Sequence, residues 1–156
     1  MSRWRLGKPA RGAKPPVLKV KKLDDKAVIP TRGSAKSAGL DLYATHPVTL
    51  APGDIRQVHT GIAAEIPDGY FGHLVTRSSL GSIGIRIASG ASVIDSDYRG
   101  EILLYVLNDG AYPYTIKHGD RCAQMVIVPY LTMTVEVVNE LSETTRGKGG
   151  FGSTGK

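Results

Sequence analysis

The sequence predicts an all-β domain made of short strands. Apolar and often β-branched segments, most of about five to eight residues, recur along the chain with turn-forming residues between them. No window offers a well-capped helix of more than about two turns. The sequence shows no internal repeat of fixed period. Together these observations indicate one β-sandwich, jelly roll or barrel.

Eight predicted strands follow one another along the chain. The first alternates apolar residues with lysines, the fourth is β-branched and partly alternating, and the last is the longest and rich in valine. In order they are 17–23, 40–44, 48–50, 55–62, 70–76, 83–87, 101–107 and 121–138. Turn signals rich in Gly, Pro, Asp and Asn occur at 51–54, 67–69, 108–110 and 118–120.

The composition restricts the class of protein. A chain of 156 residues is long enough for one domain with a proper core. Its single cysteine allows no internal disulfide and fits a reducing compartment. No apolar run reaches membrane-spanning length, and the first residues lack the apolar core of a secretion signal. We therefore expect an intracellular protein, in the cytoplasm or the nucleus, with no membrane partner.

The positive charge is concentrated at the start of the chain. The net charge is +6, but residues 1–22 hold eight basic groups and no acid, which leaves 12 basic and 14 acidic groups, or −2, in the remainder. We predict a disordered basic leader at 1–16, a β domain at 17–141 and a flexible Gly-rich arm at 142–156. The leader is either a solvated extension or a targeting, nuclear-localisation or nucleic-acid-binding segment.

The arm has a composition that suits a nucleotide. Residues 146–156 contain five glycines, three cations, two hydroxyl side chains and one large aromatic. Because glycine loses the most backbone entropy on ordering, this stretch cannot build a core. Phe151 can stack on a flat ring, and Arg146, Ser153 and Thr154 can bind phosphate oxygens. The alternative is a frayed terminus without a function.

An acidic segment is a candidate for general base catalysis. Asp95 lies two residues before Asp97 and three before Tyr98. On a strand anchored by Val93 and Ile94 the two carboxylates would face the same way, and Asp95 would reach a cleft. The alternative is a β-turn, since this composition also favours turns.

Two further segments are candidate site segments, and the first of them is a candidate for phosphate contacts. Arg77-Ser78-Ser79 follows a predicted strand and forms either an anion site or a capped helical turn. Segment 119–124 opens the last predicted strand; in the alternative it is an ordinary hairpin turn, and Gln124 is only an edge residue.

Neither the cysteine nor the histidines indicate a reactive or metal centre. No His or cationic cluster near Cys122 indicates an activated nucleophile, so we expect a packed core thiol. The four histidines lack the spacing of metal ligands. A bound metal is expected to be Mg²⁺, held mainly by substrate phosphates and one or two carboxylates.

Five segments, in order and with the expected spacing, resemble the five motifs of the trimeric dUTPase family. They are 38–44, 77–81, 90–101, 119–124 and 146–155, within a resemblance that covers about 18–156. It implies a distorted jelly-roll β-barrel or sandwich, a homotrimer and Mg²⁺-dependent hydrolysis of dUTP to dUMP and pyrophosphate, by water attack on the α-phosphorus. That reaction keeps uracil out of DNA and supplies dUMP for dTMP synthesis. It also implies active sites assembled from three chains, each completed by a neighbour's arm.

The resemblance assigns roles by position. Asp95 corresponds to the catalytic aspartate that orients and activates the water, and Gln124 lies near that water. Asp41 touches the water shell of Mg²⁺. The phosphates are bound by Arg77, Ser78, Ser79, Gln124, Arg146, Ser153 and Thr154. The deoxyribose and uracil are contacted by Ser89, Gly90, Val93, Asp95, Tyr98, Phe151 and Gly152, with Tyr98 excluding a 2′-hydroxyl and Phe151 covering the base.

Three positions depart from the family pattern, and two rivals remain. Ser79 stands where many members have Gly, Thr76 where Pro is common and Ser92 where Gly is frequent, so pocket selectivity is less fixed than activity. A dCTP deaminase would share the fold but would use a Glu as acid and base, whereas this chain has Asp95 with Tyr98. A binding or regulatory protein that lost catalysis would not need every candidate position intact.

Overall fold

The computed structural model describes residues 16–88 and 92–150. This part of the chain is almost entirely β, as predicted. The strands are β1 Lys19–Lys22, β2 Gly39–Tyr43, β3 Val48–Leu50, β4 Ile55–His59, β5 Ile62–Glu65, β6 Tyr70–Val75, β7 Ile85–Ile87, β8 Val93–Ile94, β9 Leu103–Asn108, β10 Tyr114–Ile116 and β11 Arg121–Pro129. One helical turn, α1 Ser78–Gly81, lies between β6 and β7.

All strand pairs are antiparallel, and they form two larger sheets and two ribbons. The order in the larger sheets is β2-β11-β6-β8 and β4-β9-β7, and the ribbons are β1-β5 and β10-β3. Each sheet and each ribbon contributes apolar side chains to a single buried cluster, for example Leu42, Val58, Ile62 and Ile116. Burial of this cluster is the main force that holds the sheets together.

Side-chain alternation fixes which face of each strand is buried. On β9, Leu104 and Val106 are fully buried, whereas Tyr105 between them is exposed. Since successive side chains point to opposite faces of a sheet, one-residue slippage would expose the core residues. Of the described residues, none belongs to a helix long and apolar enough to cross a bilayer.

Two predicted strands were too long. Of the predicted strand 55–62, only β4 at 55–59 is one continuous strand; Gly61, with a left-handed φ of 64°, separates it from Ile62, which is the first residue of β5. The preceding Thr60 is buried and donates its hydroxyl to the carbonyl of Ile102 at 2.6 Å. The segment 121–138 ends at Pro129, since proline has no N–H to continue the ladder.

Two short strands differ from the prediction. β7 begins at Ile85 rather than at residue 83, because α1 and the turn after it occupy the preceding residues. β10 was not predicted; it has only three residues and follows Pro113. The proposed leader and arm boundaries stay predictions, since residues 1–15 and 151–156 lie outside the described part of the chain.

Candidate active site

Three elements place polar side chains around a cleft of about 230 Å³, called here the phosphate cleft. Asp41 comes from β2, Arg77 and Ser78 from the start of α1, and Arg121 and Gln124 from β11. They meet because β11 pairs with both β2 and β6, which places Gln124 opposite Asp41 on one side and Val75 on the other. The remaining lining residues are Gly33, Ser37 and Gly39.

One buried carboxylate holds two arginines at this cleft. Arg77 Nε donates to Asp41 Oδ1 at 2.9 Å, and Arg121 Nη1 donates to Oδ2 at 3.4 Å. Arg77 Nη1 also donates to the carbonyl oxygen of Arg121 at 3.4 Å. Asp41 is only 8% exposed, so its charge requires such partners. Two cations with one anion leave an excess positive charge, which suits a phosphate.

The sequence did not single out Arg121. Arg121 lies within the candidate segment 119–124, so the sequence did contain a hint of its role. Its contact with Asp41, however, depends on the pairing of β11 with β2. A register shift between Arg121 and Ala123 interrupts that pairing.

The Arg77-Ser78-Ser79 segment forms the helical turn that was one of its two alternatives. Arg77 is the extended residue before α1, and its side chain makes no capping hydrogen bond. Ser78 lines the phosphate cleft, whereas Ser79 lines an adjoining cleft of about 270 Å³ that also contains Arg77 and Arg121. The turn therefore carries residues to two clefts that share their arginines.

Gln124 lies against a glycine on the neighbouring strand. A Cβ atom on Gly39 would collide with Oε1 and Cδ of Gln124. The absence of a side chain at this position therefore allows the Gln124 amide to lie over β2, beside Asp41.

Asp95 and Tyr98 line a second cleft, of about 260 Å³, called here the sugar cleft after the role that the resemblance implies for Tyr98. Val93 and Ile94 form β8, and Asp95 then begins a turn in which the N–H of Tyr98 donates to the Asp95 carbonyl at 3.2 Å. The Tyr98 hydroxyl donates to the carbonyl oxygen of Glu101 at 3.0 Å. The structure therefore has the turn alternative: the strand ends at Ile94, so Asp95 and Asp97 do not share a strand face, but Asp95 still lines a cleft. Ile94, Glu101, Leu103 and Tyr105 also line the cleft.

The two clefts are separate on one chain. They share no lining residue among the described ones. Ile94 pairs with Gly72 of β6, whereas Gln124 pairs with Val75, three residues further along the same strand. At about 3.3 Å per residue this offset alone is about 10 Å, and Asp95 and Gln124 lie on opposite sides of β6. One water molecule cannot contact both side chains of the same chain.

The remaining predicted residues fall into two groups. Val93 is exposed at the edge of the sugar cleft, and Arg146 lines neither cleft; its Nε donates to the carbonyl of Gly149 at 2.9 Å. Outside the described part of the chain lie Ser89, Gly90, Phe151, Gly152, Ser153 and Thr154.

The metal-binding capacity of the described residues is small. They contain no group of three or more His, Cys, Asp or Glu side chains that could hold an ion. Asp41 uses one hydrogen bond on each oxygen, so its carboxylate keeps further lone pairs facing the cleft. This donor set fits Mg²⁺, which keeps several waters and binds through one or two carboxylates plus substrate phosphates.

Cys122 is a core thiol, as predicted. Its side chain is buried on β11, and burial raises the pKa of the Cys122 thiol to about 12. Because the thiolate is the nucleophile, a thiol that stays protonated is inert.

Comparison with known proteins agrees with this geometry. The dUTPase family profile matches residues 25–155. The deoxyuridine 5′-triphosphate nucleotidohydrolase of Anaplasma marginale (strain St. Maries) is 47% identical over 130 residues, which cover 81% of this chain and 88% of that protein. The enzyme of the same name from Escherichia phage T5 is 44% identical over 142 residues, covering 86% and 96%.

Solved structures agree as well. A variant of the Staphylococcus bacteriophage 80alpha dUTPase, solved with dUpNHpp, superposes with a TM-score of 0.83 at 31% identity, covering 90% of this chain and 99% of that one. A dUTPase variant from phage phi11 of S. aureus, described with a coordinated structural Mg(II) ion, gives a TM-score of 0.74 at 30% identity, covering 80% and 97%. The likeness confirms the jelly-roll prediction. The chain belongs to the dUTPase family.

Proposed function

We propose that this chain hydrolyses dUTP to dUMP and pyrophosphate by attack of water on the α-phosphorus. Membership of the dUTPase family supports the reaction, and one observation of the site carries the proposal. Arg77 is fixed by Asp41 at the phosphate cleft, beside Arg121 and Gln124. Positive charge held in place before the substrate arrives is what phosphoryl transfer requires.

The phosphate cleft binds the triphosphate. Arg77 and Arg121 offset the negative charge that otherwise repels an approaching water, and Ser78 donates a hydrogen bond from its hydroxyl. Asp41 orients both guanidinium groups and would hold Mg²⁺ through water. When bound, that ion neutralises phosphate charge.

Asp95 activates the attacking water. Its carboxylate accepts the proton as the water oxygen bonds to the α-phosphorus and the bond to the pyrophosphate oxygen breaks. Gln124 orients the same water through its amide. Because these two side chains lie in separate clefts of one chain, Asp95 must come from a different copy than Gln124.

The sugar cleft selects the nucleoside. The Tyr98 hydroxyl is occupied by the Glu101 carbonyl, so the ring presents its face rather than a polar group. A ring packed under the deoxyribose leaves no room for a 2′-hydroxyl. Ser89, Gly90 and Val93 would read uracil, and Phe151 and Gly152 would cover it.

The separation of the clefts and two exposed apolar surfaces support a homotrimer with shared sites. On the face of the β4-β9 pair, Ile55 is 55% exposed and Tyr105 is 40% exposed. After Pro129, all of residues 131–140 are exposed, and the apolar side chains at alternate positions range from Leu131 at 53% to Val137 at 95%. Exposed apolar patches of this kind mark contact surfaces. In the trimer, Arg146, Ser153 and Thr154 of one arm would bind phosphates at a neighbour's site.

A substrate panel tests the function. Pyrophosphate release is measured with dUTP, UTP, dCTP and dTTP in magnesium buffer, and ammonia release is followed with dCTP. We expect pyrophosphate from dUTP alone and no ammonia. Ammonia from dCTP would indicate the deaminase, and no turnover of any nucleotide would indicate a binding protein.

The expected intracellular location and the role of the basic leader stay predictions. Deletion of residues 1–16, followed by filter binding of nucleic acid at increasing salt, tests the leader. Phosphate contacts would weaken steeply as salt rises.

A further inference from the structure

We propose that Glu101 is a positioning residue that fixes the Tyr98 ring and thereby sets the discrimination between deoxyribose and ribose. The inference rests on the proposed function, because it concerns selectivity at the same site. Its basis is a set of contacts in which one residue joins the sugar cleft to the β4-β5 turn.

Glu101 accepts hydrogen bonds from three directions. Its Oε1 accepts the N–H of Gly61 at 2.8 Å, and its Oε2 accepts from Nδ1 of His59 at 3.0 Å. Its carbonyl oxygen accepts the Tyr98 hydroxyl at 3.0 Å. The side chain is 24% exposed, so these bonds are partly shielded from water. The position of the Tyr98 hydroxyl therefore depends on how the Glu101 backbone is held, and the Glu101 side chain is one of its anchors.

The anchor itself is rigid. Gly61 is held in a left-handed conformation, and a Cβ there would collide with the side chains of Ala27, Thr45 and Asp24. Its carbonyl oxygen accepts the N–H of Leu23 at 2.7 Å. Because the backbone of Gly61 is held in this way, its N–H cannot move to follow a shift of the Glu101 carboxylate.

The next residue along the chain is fastened to the same turn. The N–H of Ile102 donates to the carbonyl of Ile62 at 2.8 Å, and the Ile102 carbonyl accepts the Thr60 hydroxyl at 2.6 Å. The peptide unit that carries the Glu101 carbonyl is thus fastened on its Ile102 side, and the Glu101 side chain fastens the same residue on the side of the loop 98–100.

The Tyr98 ring fills the space beside Gly100. A Cβ on Gly100 would collide with the ring and hydroxyl of Tyr98. The ring is 42% exposed and lines the sugar cleft. Exclusion of a 2′-hydroxyl is steric and so depends on ring position within less than an ångström. Loss of the Glu101 anchor would let the loop 98–101 move and admit ribose.

The experiment compares kcat/KM for dUTP and UTP in the full chain and in Glu101→Ala, Glu101→Gln and His59→Ala. In Glu101→Ala we expect the dUTP preference to fall about tenfold, mainly through better use of UTP. Glu101→Gln keeps an acceptor for the N–H of Gly61, so its preference for dUTP over UTP should fall less. His59→Ala is the matched control, since it removes one exposed partner of the same carboxylate; the preference should stay within about twofold.

A double variant separates positioning from general loss of stability. In a Tyr98→Ala background the ring is gone, so adding Glu101→Ala should leave the dUTP preference unchanged. A further fall in that background, or a wild-type preference in Glu101→Ala alone, would overturn the inference while leaving the proposed function intact. If Glu101→Ala does not fold, Glu101→Gln in the two backgrounds gives the same comparison. Failure of the unmodified chain to hydrolyse dUTP would instead refute the proposed function.

Discussion

At the residue scale, the site depends on small groups that hold larger ones in place. Asp41 fixes two guanidinium groups, and Gly39 leaves space for the Gln124 amide. Neither role is visible in the chemistry of the residue alone, since each follows from a neighbour on an adjacent strand.

Replacement of Gly39 tests that arrangement. In Gly39→Ala the new methyl group displaces Gln124 and the water it orients, so kcat should fall by about 10- to 100-fold with little change in KM. Gly33→Ala is the control, because Gly33 lines the same cleft. A Cβ atom added at Gly33 would have only Ser37 Oγ nearby, at the ordinary contact distance of 3.6 Å. Steady-state kinetics on dUTP gives both values; equal kcat in the two variants would refute the role of Gly39.

Cys122 gives a pH prediction. Desolvation by burial raises the pKa of the Cys122 thiol to about 12, from 9.0. Between these values the unfolded thiol releases its proton and the folded one keeps it, so the free energy of unfolding falls as pH rises. Iodoacetamide should therefore label the native protein very slowly at pH 8 and the urea-unfolded protein quickly. Equally fast labelling would contradict the buried thiol.

The sequence could single out candidate catalytic residues but not the residues that hold them in place. Asp95, Gln124 and Arg77 belong to contiguous motifs, and their chemistry is local to the chain. Arg121 and Glu101 act through partners 80 and 40 residues away. Those contacts exist only once the strands are paired in register.

At the element scale, breaks in the strands are set by backbone geometry. Gly61 separates β4 from β5 because its φ of 64° is unfavourable for other residues. The apolar pattern continues through this position, so periodicity alone predicted one strand. β10 was missed because it directly follows Pro113 and precedes the turn at 118–120, so the segment resembles a loop until it pairs with β3. β11 ends at Pro129, although the apolar pattern continues beyond it.

Replacement of Gly61 measures how much the turn between β4 and β5 contributes to the free energy of unfolding. Gly61→Ala combines a strained φ with collisions against three side chains, and should lower the free energy of unfolding by about 2–4 kcal/mol. Gly53→Ala shares the positive φ but has no atoms within 4 Å, so we expect only about 1–2 kcal/mol. Urea titration checks both; an equal loss would mean that packing around Gly61 contributes nothing.

At the scale of the whole molecule, we expect the arm and the domain to have different tasks. Residues 146–150 are partly or fully exposed and lie after the last strand, so they add little to the core. Deletion of residues 146–156 should lower kcat/KM for dUTP by at least about 100-fold. The melting temperature should change by less than about 4 °C. A large loss of thermal stability would show that the arm supports the fold.

The proposed division of the site between chains could not be worked out from the residues themselves. Asp95 and Gln124 are only 29 positions apart in the sequence, and nothing in their spacing places them on opposite sides of β6. The resemblance to the family implied a shared site, and the strand register supplies a physical reason.

Mixing two inactive variants tests this central claim most directly. Asp95→Asn and Gln124→Ala are each purified, unfolded together in equal amounts and refolded, with the unmodified chain refolded alongside. If each site takes Asp95 and Gln124 from different copies, random mixing gives about a quarter of sites with both side chains intact. The mixture should therefore recover about a quarter of the refolded wild-type activity. A mixture as inactive as either variant alone, while the unmodified chain regains full activity, would contradict the account.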